Sequence, residues 1–147
     1  MSIISLLLLI NRGINNVSDD IVLGIKMVPS FGNQYEQRGM ILDITASGEA
    51  VCYISGAEVG RKKLDEDAFD EFVAKIDYNE IATMEIYHPD PYYILDGGDS
   101  YIVVYMKNEP PLVRGGFCVS GEEFSKYFGL VCDLADYHWW MGCCDDY

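Results

Sequence analysis

The chain has 147 residues, half of them apolar, and its 24 Asp and Glu against 10 Lys and Arg give a formal charge of −14. The apolar fraction excludes wholesale disorder, and the five prolines are too few for a proline-rich linker. The length suits a single domain, residues 1–147, with its own hydrophobic core. Because nucleic acid and anionic lipid would both repel such a chain, we expect neither to be a direct partner.

The negative charge is concentrated in one part of the chain. Residues 1–64 contain six basic and six acidic residues and are neutral as a whole. Residues 65–147 contain four basic and 18 acidic residues and therefore carry the entire −14. This asymmetry bears on partners and solubility rather than on the fold.

The first ten residues form an apolar run, MSIISLLLLI, that has the composition of the hydrophobic part of a signal peptide. It lacks a preceding positive charge and a following cleavage site, and it is too short to cross a bilayer. We predict a buried strand over Ile3–Ile10, a turn-rich stretch to residue 20, and a cytoplasmic location. Export is the alternative if the run is a signal remnant.

The next segments have the pattern of β-strands. Ile21–Val28 reads as a strand that ends at Pro29, since proline cannot donate to a β-ladder. Met40–Thr45 and Ala50–Ser55 flank a short glycine-containing connection, which predicts a β-hairpin.

The first predicted helix begins at Asp65, a suitable N-cap that is followed by two more acidic residues in the first turn. Its apolar residues repeat at helical spacing and form one stripe: Phe69, Phe72, Val73 and Ile76. The opposite face is acidic.

Strands are predicted again after this helix. Ile81–Tyr87 reads as a strand that the His88-Pro89-Asp90-Pro91 loop ends. Tyr92–Leu95 and Ser100–Met106 flank Asp96-Gly97-Gly98-Asp99, and Asp-Gly between apolar runs favours a tight hairpin turn. Leu112–Val119 follows as a short strand.

The second predicted helix opens with Ser120 and Glu123 in the S-x-x-E pattern of a capping box. Its apolar positions run from Phe124 to Ala135. Residues 137–147 read as an extended aromatic and acidic tail, in which the neighbours Trp139 and Trp140 face opposite ways. The order of elements predicts an α+β fold with a largely antiparallel sheet built from hairpins and two helices on one face.

No motif in the sequence fixes a reaction. His138, Cys143, Cys144, Asp145 and Asp146 lack the spacing of a zinc site, and neither histidine lies in a recognisable nucleophile signature. We expect no catalytic residues, no metal and no cofactor. Five cysteines without regular spacing favour reduced thiols, with the adjacent Cys143 and Cys144 most open to oxidation.

The most informative feature is an acidic surface accompanied by aromatic residues. Tyr and Trp are enriched at interface hot spots, and neighbouring carboxylates would steer a basic protein to them. The alternative interpretation is a solvated face that promotes solubility. The predicted acidic binding residues are Asp67, Asp70, Glu71, Asp77, Asp96 and Asp99, and the predicted aromatic anchors are Tyr92, Tyr93, Trp139 and Trp140.

The region from about Met40 to Asp136 resembles small bacterial or phage domains that combine a hairpin, an FxxFV-type helix, an Asp-Gly hairpin and a capped final helix. The acidic character is similar to that of toxin-immunity proteins and phage anti-defence inhibitors, including the anti-CRISPR type. The acidic and aromatic surface leads to the hypothesis of a non-enzymatic inhibitor that occludes a basic nuclease or nucleic-acid-binding effector, with clustered carboxylates that mimic nucleic-acid charge. The alternatives are a small-molecule binding module that uses a Tyr-rich pocket at Tyr92 and Tyr93, and a small enzyme.

Overall fold

The computed structural model describes residues 21–29, 39–90, 98–105 and 110–145. Within them lie six strands and four helices: β1 (Ile21–Pro29), β2 (Met40–Thr45), β3 (Glu49–Ile54), β4 (Ala57–Lys63), α1 (Glu66–Lys75), α2 (Tyr78–Thr83), β5 (Gly98–Val104), β6 (Leu112–Phe117), α3 (Glu122–Ala135) and α4 (Tyr137–Asp145). The predicted strands Ile3–Ile10 and Tyr92–Leu95 lie outside the described residues.

The strands form one six-stranded antiparallel sheet in the order β4-β3-β2-β1-β5-β6. β1 lies in the middle, where Ile25 is opposite Leu42 of β2 and Ile102 of β5. The predicted α+β class with a largely antiparallel sheet is therefore confirmed. So are the strand that ends at Pro29 and the hairpin that follows it.

Strand β4 is an element that the sequence pattern did not predict. Ser55 and Gly56 both have positive φ, 52° and 81°, which is the backbone of the two-residue turn that matches the twist of paired strands. The chain therefore reverses after β3 and continues as a further strand. The basic run from Arg61 to Lys63 ends this edge strand, where exposed cations hinder pairing with another chain.

The hydrophobic core lies between the helices and one face of the sheet. Leu42, Ile44, Cys52 and Ile102 supply the sheet side and are fully buried. The helix side of the same cluster comes from α1, α2, α3 and α4, and consists of Phe72, Val73, Ile76, Ile81, Phe124, Tyr127, Val131, Ala135 and Trp140. Strand alternation leaves the odd-numbered residues of β5 on the opposite face, which we call the second face.

Helix α1 follows its predicted pattern, because Asp65 caps it by accepting a hydrogen bond of 3.0 Å from the backbone N–H of Ala68.

The predicted strand over Ile81–Tyr87 is wrong. Asp77 caps the short helix α2 by accepting from the backbone N–H of Glu80 at 3.0 Å, and residues up to Thr83 are helical. Two helices thus stand where one helix and a strand were expected.

The end of α2 is held by Arg114 of β6. Its guanidinium donates to the carbonyl oxygens of Ile81 at 3.1 Å, of Met84 at 2.6 Å, and of Ala82. These carbonyls lie at the C-terminus of the helix, where partners are lacking and a positive charge is favourable. This long-range contact helps to explain why local strand propensity does not decide the segment.

The predicted capping box at the start of α3 is also wrong. The backbone of Ser120 pairs with that of Tyr87 through hydrogen bonds of 2.8 and 3.1 Å, and Gly121 takes the N-cap position without a side-chain bond. A Cβ on Gly121 would lie 2.7 Å from the Glu85 carbonyl oxygen, and its φ is +155°. Glycine is therefore required where the chain crosses this loop.

The predicted tail is helical rather than extended over Tyr137–Asp145. Asp136, with a φ of 66°, ends α3, and its carbonyl accepts from the backbone N–H of Trp140 at 3.0 Å in the first turn of α4.

The predicted Asp96–Asp99 turn is corrected in part, because Gly98 and Asp99 already belong to β5. Asp96 and Gly97 lie outside the described residues.

Candidate partner-binding surface

Helix α1 presents a set of exposed carboxylates that we call the acidic helix face: Asp67, Asp70 and Glu71. Asp70 and Glu71 follow Asp67 by three and four residues, so their Cβ atoms are about 5–6 Å from that of Asp67 on the helix surface. Phe72 and Val73 bury the other side of the helix. In the described part of the chain none of the three carboxylates forms an ion pair.

The surroundings of this face are acidic as well. Residues 65–90 contain nine acidic residues and one basic residue, Lys75. Asp77 is exposed, although its carboxylate also caps α2, and the neighbouring Tyr78 is 38 % exposed. The start of α2 therefore places an exposed aromatic residue next to Asp77, at a position that the sequence did not single out.

Glu80 is the acidic residue of this region that is turned inward. Its carboxylate accepts from Lys126 Nζ at 2.9 and 3.0 Å and from the Tyr127 hydroxyl at 2.7 Å. The hydrogen bond from Lys126, and then that from Tyr127, lower the pKa of Glu80. Burial and this hydrogen bond raise the pKa of the fully buried Tyr127. This cluster joins α2 to α3 and is structural.

The structure does not bring all predicted binding residues together. Asp67, Asp70 and Glu71 share α1, with Asp77 just after it, whereas Asp99 belongs to β5 and lies on the second face. There its carboxylate accepts from the Tyr101 hydroxyl at 3.3 Å. Asp96, Tyr92 and Tyr93 lie outside the described residues.

The two tryptophans take different positions on α4. Trp140 is 3 % exposed and belongs to the core, so it is not a surface anchor in this structure, and the expectation of an extended tail was the source of the error. Trp139 is half-buried against the core, with Lys62 Nζ 5.9 Å from its ring centre. The most exposed aromatic side chains of the described residues are instead Tyr87, at 65 %, and Tyr137, at 57 %.

The second face contains a buried acid that sequence reasoning missed. Asp43 lies in the middle of β2, is 4 % exposed, and has no hydrogen-bond partner for Oδ1 among the described residues. Burial raises its pKa to about 6. Alternation along MILDIT puts the Asp43 side chain on the other face of the sheet from Leu42 and Ile44, which point into the core. Only its burial distinguishes Asp43 from an ordinary solvent-facing acid.

The cysteines whose side chains the structure describes are reduced thiols, with Cys52 buried and the others half-buried. Burial raises the pKa of Cys132 to about 11, and Cys143 packs against the core. No group of three His, Cys, Asp or Glu side chains is close enough to hold a metal ion among these residues. None of the described helices has the length and apolar character that crossing a membrane requires.

Comparison with protein-family models, with curated proteins and with solved structures gives no match for this chain.

Proposed function

We propose that this protein is a non-enzymatic inhibitor that binds a basic protein and occludes it. The observation that carries the proposal is the acidic helix face, where three exposed carboxylates have no cation paired with them in the described regions. Other acids, such as Glu49 and Glu80, are engaged in ion pairs. The three carboxylates of the acidic helix face thus have no ion pair within the described residues and, held on one helix, are available to a partner.

The partner of this proposal is a nuclease or another nucleic-acid-binding effector, as in immunity or anti-defence systems. Such proteins hold phosphates with Lys and Arg, and carboxylates spaced along a rigid helix take the place of the phosphates. Tyr78, which follows Asp77 at the start of α2, supplies a contact with an apolar body and a polar tip. Asp96, Tyr92 and Tyr93 remain predicted contributors to this surface.

The experiment is a capture from native lysate with the tagged protein, washed in parallel at about 50 mM and about 500 mM salt. We expect a basic nucleic-acid-binding protein to be retained at low salt and released at high salt. For the purified pair, we expect added salt to lower the association rate most, since long-range steering is screened. An oligonucleotide substrate of the partner should compete for binding.

A matched pair of variants locates the surface. Asp70→Lys with Glu71→Lys reverses two charges on the acidic helix face. Glu85→Lys with Asp133→Lys makes the same charge change at exposed positions outside α1, in the segment after α2 and on α3. We expect the first variant to weaken binding at least tenfold and the second to change it far less. Equal effects of the two variants would assign the attraction to net charge, and unchanged binding in both would remove α1 from the interface.

A further inference from the structure

The second face of the sheet contains a row of directly opposed residues that crosses five strands. The row reads Arg61, Val51, Asp43, Gly24 and Val103, from β4 to β5. Val51 is 1 % exposed and Asp43 is 4 % exposed, so the centre of this row is interior although the described helices pack on the other face. Glycine at position 24 puts bare backbone beside the carboxylate.

Two tyrosines share the second face with this carboxylate: Tyr53, and Tyr105, which strand alternation puts on this face two residues beyond Val103 of the row. Tyr53 of β3 lies opposite Ile41, two residues from Asp43 on the same face, where diagonal neighbours are about 7–8 Å apart. Burial first, and then the charge of Asp43, raise the pKa of Tyr53 and also that of Tyr105, which follows β5. Both tyrosines are partly exposed, so the cluster extends from the buried acid toward the surface.

The cation that belongs to this row, Arg61, is already engaged in ion pairs. Arg61 is separated from Asp43 by Val51, and its guanidinium binds Glu58 at 2.8 Å and Glu49 at 3.0 Å. Asp99, the other acid of this face, accepts from Tyr101. On β1, Lys26 takes the register position opposite Ile41 and Tyr101, in the row next to that of Asp43.

An ionised carboxylate in the interior costs several kcal/mol unless a cation or hydrogen-bond donors neutralise it. Aromatic rings and hydroxyls beside it suit an organic cation, which they contact through cation–π attraction and hydrogen bonds. We propose that Asp43, Tyr53 and Tyr105 form a binding site for a small organic cation that bears a primary ammonium or guanidinium group. This site is separate from the acidic helix face and does not depend on the proposed inhibitor function.

The test uses the full-length protein with n-butylammonium and agmatine as probes, the first an ammonium and the second also a guanidinium. At pH 7.5 and a tenfold excess over the dissociation constant, we expect at least one probe to raise Tm by about 3–6 °C. The increase should disappear in Asp43→Asn and shrink at pH 5, where Asp43 is mostly protonated. It should persist in Asp99→Asn, which removes a carboxylate from the same face.

Three results would overturn the proposal. The first is no Tm change with either probe at millimolar concentration, and the second is an equal change in Asp43→Asn. The third combines two measurements of the Asp43 pKa by NMR of its carboxyl carbon. In this result the Lys26→Gln substitution raises the Asp43 pKa, and neither probe lowers the Asp43 pKa of the wild-type protein. That result would make Lys26 the internal counter-ion. Loss of the probe effect here leaves the capture experiment with the acidic helix face unaffected, so the two proposals fail independently.

Discussion

Cys143 of α4 packs directly onto Gly60 of β4. A Cβ atom added to Gly60 would lie 2.6 Å from Cys143 Sγ and 3.3 Å from Trp139 Cζ2, so the missing side chain is what lets the helix approach the sheet. The Lys62–Asp136 contact of 3.8 Å lies at the same junction. The absence of a side chain at position 60 therefore sets how closely the C-terminal helix can pack.

Gly60→Ala is expected to destabilise the protein by about 1–3 kcal/mol, because an added methyl group overpacks this contact. Chemical denaturation followed by tryptophan fluorescence measures the effect. Cys143→Ala removes the sulfur that the methyl group meets, so the double variant should recover much of the loss. Simple additivity of the two substitutions would show that the contact is not the cause.

Arg114→Met is expected to cost about 2 kcal/mol, since the carbonyls at the end of α2 lose the guanidinium that satisfies them. Arg114→Lys should rescue only part of this loss, because an ammonium is a point charge and cannot reach three carbonyls as a planar fork does. Thermal unfolding of the three proteins compares them. Full rescue by lysine would mean that charge alone holds the end of the helix.

Tyr127→Phe is expected to lower the unfolding free energy by about 1 kcal/mol through loss of the hydrogen bond to Glu80. The lowered pKa of Glu80 gives this junction a pH dependence. Its contribution is complete above the ordinary pKa of a glutamate and is lost as the pH falls through the lowered value. Glu80→Gln should therefore flatten the acid limb of the stability profile, and an unchanged limb would contradict this account.

Ionisation of Asp43 is expected to change stability with pH in the direction opposite to that of Glu80. Its pKa is raised from 3.8 to about 6, so the folded state binds the proton more tightly and stability falls as the pH rises from about 4 to about 6. Asp43→Asn removes this penalty and should stabilise the protein at pH 7 by at most about 3 kcal/mol. The gain should vanish near pH 4. A constant difference between the two proteins across this range would argue against ionisation of Asp43 as the cause.

Local sequence signals predicted those elements that depend on local chemistry. The hairpin after Met40 follows from turn residues between apolar runs, and α1 follows from a cap at Asp65 and a stripe that includes Phe72. Distant contacts decide the segments that were predicted wrongly. Arg114 stabilises the end of α2 from 30 or more residues away, and the pairing of Ser120 with Tyr87 displaces the expected cap.

The candidate site was predictable to the same extent. Asp67, Asp70 and Glu71 fall on one helix face by spacing alone, and the structure leaves them exposed. Asp99 could not be assigned to the other face of the sheet without the position of β5. The burial of Asp43 depends on what covers the second face, which strand alternation does not specify. The burial of Trp140 could not be predicted without the turn at Asp136, after which a new helix begins.

The central position of β1 has a consequence for how the chain is joined. β1, β2, β3 and β4 pair as neighbours in sequence, and β5 pairs with β6 in the same way. Only the β1–β5 ladder connects the two blocks of the described sheet, and its residues Ile25 and Ile102 are 77 positions apart. Loop closure over such a distance is the largest entropic cost in the sheet. The backbone hydrogen bonding of the described sheet thus passes from the neutral part of the chain to the strongly acidic part along a single ladder, whose formation completes the sheet.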